Sequence, residues 1–153
     1  MTESHDFLNH NINRLMLDKS EWFSAILKER MSDSTTELTP AEGRIFGTLR
    51  GRRLTVSEIA RLRGVSRQSV HRIVSDLVER GFLRLEQAED SKRDKVVVMT
   101  ARGQELREQV GDVLRAVEEE IANVIGRDRL EALREVLMAD WSNDEDKSKR
   151  EGE

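Results

Sequence analysis

The chain has no cysteine, a single proline, Pro40, and no apolar run long enough to cross a membrane. Without thiols, disulfides, thiolate metal sites and cysteine redox switches are excluded. One proline among 153 residues, with 37% of them charged, suits a helical protein with long polar faces. A signal peptide needs a basic start and an apolar core. The start here, with Glu3 and Asp6, has neither, so the expected location is the cytoplasm, with no membrane partner. Nothing pairs the many carboxylates with a histidine, a glycine-rich phosphate loop or a cysteine nucleophile, so no enzyme, no catalytic residue and no cofactor is expected. His5 and His10, with Asp6 between them, are not spaced to share one helical face, and no further ligand set follows, so no metal site is expected either.

What is present is charge, unevenly placed. The length suits one domain, or one small domain with dimerisation helices. The net charge is -4, yet Arg50 to Arg72 holds seven arginines (50, 52, 53, 61, 63, 67 and 72) against one carboxylate, Glu58. That stretch carries +6, which leaves -10 for the rest of the chain. A basic patch on an acidic body can hold phosphates on one face, with binding that weakens as salt rises.

The basic patch coincides with two short helices joined by a tight turn. Thr55 and Glu58 form a capping box that starts a helix near Val56. Ile59 and Leu62 line one face, Ala60 admits a crossing helix, and Gly64 can take the positive φ of a sharp exit. Ser66 is an N-cap for a second helix, in which Val70, Ile73, Val74, Leu77 and Val78 recur at helical spacing until Gly81. The pattern is a helix-turn-helix. Arg67, Gln68, Ser69, His71 and Arg72 crowd the exposed start of the second helix. Such side chains can read base edges in the DNA major groove, where arginine pairs with guanine and glutamine with adenine.

On the N-terminal side, Phe7, Leu8, Ile12, Leu15, Met16, Trp22, Phe23, Ile26, Leu27 and Met31 keep a helical period, which predicts one long helix of about seven turns. Its length points to a twin helix in a dimer. A polar connector, Ser32 to Glu37, leads to a second capping box of Thr39 and Glu42 with Pro40 at the first helical position. The helix that follows carries Ala41, Ile45, Phe46 and Leu49 inward and stops by Gly51.

After Gly81 the pattern turns to strands: Phe82, Leu83 and Leu85, then Val96 to Met99. Between them Ala88 to Lys95 is charged and must project into solvent as a hairpin tip, the wing of a winged helix, where cations can enter the minor groove. Thr100 caps a long helix with Leu106, Val110, Val113, Leu114, Val117, Ile121, Val124 and Ile125 on one stripe, resembling a coiled-coil seam. Gly126 ends it. Asp128 with Glu131 is a candidate cap for a last helix carrying Leu130, Leu133, Val136, Leu137 and Trp141, and residues 142–153 read as a disordered acidic tail.

The order of elements, the run Val65 to Leu83, and the wing followed by Val98, Met99, Thr100 and Gly103 resemble the MarR family of bacterial transcription regulators, over about Phe7 to Trp141. The expected fold is mainly α with a small β-hairpin wing, a winged helix-turn-helix over 35–100 flanked by dimerisation helices at 1–34 and 101–141. The resemblance implies a homodimeric repressor on a palindromic operator in double-stranded DNA, often with a small aromatic ligand between lobe and dimer region. Arg67, Gln68, Ser69 and His71 would read bases, Ser66 and Arg72 would hold phosphate, and Lys92 and Arg93 would serve the wing. One departure concerns the wing, where Ser91 stands in place of the family's usual aspartate. A ligand pocket would draw on Trp22, Phe23, Ile45 or Phe46, each of which also suits plain core or interface. Two competing readings are a winged helix that binds a protein partner and an enzyme with His71 as general base.

Overall fold

Three side-chain caps set where the central helices begin. Thr39 Oγ1 accepts the backbone N–H of Glu42 at 3.2 Å while Glu42 Oε2 accepts that of Thr39 at 2.7 Å. Thr55 and Glu58 repeat the arrangement at the same two distances. Ser66 Oγ accepts the backbone N–H of Ser69 at 3.1 Å. Each cap satisfies amides that the first helical turn leaves unpaired. In the computed structural model, which describes residues 2–32 and 38–142 (the backbone alone for 2–5), the chain order is α1 (Thr2–His10), α2 (Ile12–Arg30), α3 (Pro40–Leu49), β1 (Leu54–Thr55), α4 (Val56–Arg63), α5 (Arg67–Glu79), β2 (Leu83–Gln87), β3 (Lys95–Met99), α6 (Ala101–Ile125) and α7 (Arg127–Met138). Apart from Ser142 the acidic tail lies outside the described residues, as does the connector beyond Ser32.

The expected single N-terminal helix is two. Asn11 interrupts it with φ -67 and ψ 154 and works in both directions. Its Nδ2 donates to the carbonyls of Phe7 and Leu8, closing α1, and its Oδ1 accepts the N–H of Arg14, opening α2. Apolar periodicity runs on through the break because a cap costs no residue of the apolar stripe.

The chain divides into two compact units, residues up to Val113 and residues from Leu114. In the first unit the core joins Ile45, Phe46 and Leu49 of α3, Ile59 and Ala60 of α4, Val70, Val74 and Leu77 of α5, Leu83 and Val97 of the hairpin, Phe82 just before it, and Leu106 of α6. Burying each of these side chains other than Ala60 contributes roughly 1.5 to 3 kcal/mol, which fixes α3, α4 and α5 against the sheet. The sheet is antiparallel in the order β1-β3-β2. The hairpin β2–β3 was expected. The two-residue strand β1, pairing Leu54 with Val97 and Thr55 with Val96, was not, and it fastens the start of α4 to the wing.

In the second unit Val117, Ala122 and Leu130 are buried. Arg127 Nη2 pairs with Glu119 Oε2 at 2.5 Å and Arg134 Nη2 with Glu118 Oε2 at 2.6 Å. Gly126, with φ 95, occupies the N-cap of α7 and makes no side-chain cap bond. Asp128 therefore does not cap this helix. It sits inside the first turn, one residue past the helical start, where its side chain can favour the helix dipole only.

Candidate nucleic-acid interface

Gly64 makes the turn between α4 and α5. With φ 63 it takes the left-handed conformation, its N–H donates to the carbonyls of Ala60 and Arg61, and that of Val65 donates to Ala60. Two residues later Ser66 starts α5. Its hydroxyl accepts from the N–H of Ser69 and donates to Ser69 Oγ at 2.9 Å, so both hydroxyls have local partners.

The inward face of α5 is Val70, Val74 and Leu77, all but inaccessible to solvent. Arg67, Gln68, Ser69, His71 and Arg72 are exposed on the opposite side of the first two turns. Gln68, Ser69, His71, Arg72, Ser75 and Asp76 line one shallow concavity, with Ser75 Oγ 3.5 Å from His71 Nδ1. A second, at the turn, is bounded by residues of α4 and by Arg67. Arg67 and Arg72 have no ion-pair partner among the described residues, and neither do Arg61 and Arg63 of α4. The charges of Arg67 and Arg72 are therefore available to an incoming anion.

Other arginines of the basic stretch are committed. Arg52 Nη2 donates to the carbonyl of Thr48, and Arg53 Nη1 pairs with Glu86 Oε2 at 2.7 Å. Just past α5, Arg80 Nη1 meets Glu42 Oε1 at 3.2 Å, and its guanidinium lies 5.1 Å from the ring centre of Phe82, with that of Arg102 at 5.0 Å. Glu42 is the one charged side chain buried among the described residues. It caps α3 with one oxygen and anchors the end of α5 with the other. Nothing in the local pattern around Glu42 announces a partner in another helix.

The wing tip carries Lys92 and Arg93, both exposed and without ion-pair partners among the described residues. Ser91 builds the turn under them. Its Oγ accepts the backbone N–H groups of Arg93 and Asp94, each at 3.2 Å. Gln87 Nε2 closes the loop by donating to the carbonyls of Ser91 and Asp94. A hydroxyl can thus supply the backbone acceptor that an aspartate would offer, though not its negative charge. The eight expected residues fall into two groups on separate elements: Ser66, Arg67, Gln68, Ser69, His71 and Arg72 at the start of α5, and Lys92 and Arg93 on the wing.

The four aromatic and aliphatic pocket candidates are engaged in packing. Ile45 and Phe46 belong to the core, and Trp22 packs edge-on against Phe23 with ring centres 5.2 Å apart. His10 Nδ1 lies 2.8 Å from Asp6 Oδ1 on the same helix, while the side chain of His5 is outside the described residues.

Residues 36–94 match the model of the MarR family. An uncharacterized protein of Mycobacterium tuberculosis is 29% identical over 99 residues, covering 65% of this chain and 69% of that protein. Among solved structures, wild-type MarR of E. coli in its apo form superposes with a TM-score of 0.69 at 20% identity, over 84% of this chain and 95% of MarR. A MarR family transcriptional regulator from Silicibacter pomeroyi gives 0.68 at 22% identity, over 85% and 87%. The transcriptional repressor CouR, bound to a 23-mer DNA duplex, gives 0.71 at 18% identity, over 86% and 92%. At these identities the solved structures establish a shared winged-helix fold.

Proposed function

We propose, from a winged-helix segment that matches the MarR family model, that this protein is a sequence-specific DNA-binding transcriptional regulator acting as a homodimeric repressor in the cytoplasm. The observation that carries the reading is the start of α5, where Arg67, Gln68, His71 and Arg72 stand exposed and Arg67 and Arg72 have no intramolecular counter-charge among the described residues. An exposed helix start of this composition fits the major groove, with Arg67, Gln68, Ser69 and His71 toward base edges and Ser66 and Arg72 toward phosphate. Lys92 and Arg93 on the wing serve the neighbouring minor groove.

Two sets of exposed apolar side chains support a dimer. Phe7, Leu8 and Ile12 are more than 60% exposed around the junction of α1 and α2, and Leu133, Val136, Leu137, Met138 and Trp141 are 49–79% exposed around α7. Covering them with a second copy would set two recognition helices about one DNA turn apart and match a palindromic operator. A small aromatic effector that prefers one spacing of the lobes would release the operator by shifting the population of conformations. Catalysis has no part in this reading.

Selection of bound sequences from a random DNA pool, followed by titration of the recovered site, tests it. The expected result is a palindrome, with Arg67→Ala costing about 1 to 3 kcal/mol on that site and much less on random duplex. Equal losses on both would limit Arg67 to the phosphate backbone, and failure to recover any preferred sequence would sink the reading.

A further inference from the structure

Arg53 and Arg84 share one carboxylate. Glu86 Oε2 lies 2.7 Å from Arg53 Nη1, and Glu86 Oε1 lies 2.7 Å from Arg84 Nε. Arg84 also reaches the carbonyl of Met99 at 3.5 Å. The register explains why three groups distant in the chain meet. Glu86 pairs with Val96, which pairs with Thr55, so β3 separates Glu86 from β1. Arg53, just before β1, must reach over β3 to meet Glu86. Leu83 and Val97 are buried, and strand alternation puts Arg84 and Glu86 on the other, outer face.

Three features suit this cluster to an incoming phosphate. It is open to solvent, with side chains 47% exposed for Arg53, 52% for Arg84 and 31% for Glu86. It adjoins the wing tip, since Glu86 precedes Gln87, whose amide holds the loop that carries Lys92 and Arg93. Its carboxylate presents to two guanidiniums what a DNA phosphate presents: two anionic oxygens at hydrogen-bonding distance. The hydrogen bonds from Arg84 and then Arg53 hold the Glu86 carboxyl below the usual carboxylate range, so it is charged at neutral pH and competes as an anion.

We propose that Arg53 and Arg84 are phosphate contacts of the wing that Glu86 holds in the free protein and surrenders to DNA. This rests on the winged helix binding duplex DNA, as set out above. Exposed ion pairs are weak and exchange readily, whereas each arginine placed on phosphate releases condensed counterions. Glu86 then sets the affinity for DNA of any sequence downward while keeping both guanidiniums side by side and extended. Wing-to-phosphate attraction is tempered without any loss of base reading at α5.

The test is a salt series of binding to a random-sequence duplex by wild type, Glu86→Gln, Arg53→Ala, Arg84→Ala, and Glu86→Gln in the double-alanine background. Glu86→Gln should bind about three- to tenfold more tightly at moderate salt. Each arginine variant should lower the slope of log affinity against log salt by about one. In the double-alanine background Glu86→Gln should bring no gain. A gain that persists there means only long-range repulsion of DNA by Glu86, and overturns the proposal. So do unchanged slopes in the arginine variants, or weaker binding by Glu86→Gln, which would make the cluster a brace between strands. A wild type that binds no duplex at all overturns the DNA-binding reading, and this proposal with it. The arginine variants alter exposed side chains, so they remain informative where Glu86→Gln is poorly folded.

Discussion

A Cβ on Gly103 would stand 2.1 Å from the carbonyl oxygen of Phe82. The first turn of α6 is pressed onto the entrance to the wing. Thr100 donates its backbone N–H to that same carbonyl at 3.1 Å and its hydroxyl to the carbonyl of Gly81 at 2.6 Å, while its Oγ1 accepts the N–H of Gly103 at 3.0 Å. Cap and glycine together hold α6 against the residues that link recognition helix and wing.

Gly103→Ala should therefore destabilise the protein by about 1 to 3 kcal/mol, because the obstacle is backbone and cannot rotate away. Gly47 in α3 is the matched control. A Cβ there meets nothing within 4 Å, so Gly47→Ala should stabilise by up to about 1 kcal/mol through helix propensity. Urea unfolding of the two variants reads the contrast directly. Equal midpoints would mean that α6 does not need its close approach to Phe82.

At the wing, Ser91→Ala removes the acceptor of two backbone N–H groups and should loosen the turn beneath Lys92 and Arg93. DNA affinity should fall by about three- to tenfold, with an unchanged melting temperature because the tip contributes no core. Ser91→Asp keeps an oxygen for both amides and should retain affinity. Gel-shift titration of the three proteins decides it, and an alanine variant that binds like wild type would show that the tip needs no brace.

Glu58 links stability to pH. Its carboxyl lies below the usual carboxylate range, first because it accepts the Thr55 backbone N–H, which outweighs the opposing effect of burial, and further because of the Thr55 side chain and the nearby charge of Arg61. A depressed folded pKa means that the ionised capping box stabilises the fold fully above the unfolded value of about 4.3 and loses that contribution as pH falls through the folded value. Glutamine can fill the same capping position without titrating. Unfolding followed between neutral pH and the acid range should show a shallower loss of stability for Glu58→Gln than for wild type. Identical acid limbs would count against Glu58 as a contributor.

The helix starts at Thr39, Thr55 and Ser66 could be read in the sequence because a cap joins residues three apart, and such a contact exists wherever the helix forms. The exposed turn of α5 was legible for the same reason: the apolar period that buries Val70, Val74 and Leu77 leaves Arg67, Gln68, His71 and Arg72 outside. The break at Asn11 carried a local signal too, a good N-cap residue, but the apolar period running through it argued for continuity. The strand β1 had no comparable signal. Two residues cannot show an alternation, and their pairing with β3 depends on where the hairpin folds back.

By itself, then, the sequence determined the capped helices, the wing and the basic stretch of +6 within an acidic chain. Tertiary structure alone decided which of those arginines remain free. Within the stretch Arg53 gains a counter-charge in Glu86, as Arg80 beyond it does in Glu42, whereas Arg67 and Arg72 meet no carboxylate among the described residues. The reason is one of range: capping and periodicity act over a turn or two of chain, but the partner of a long cationic side chain is whichever carboxylate the packed core and sheet register bring within about 4 Å.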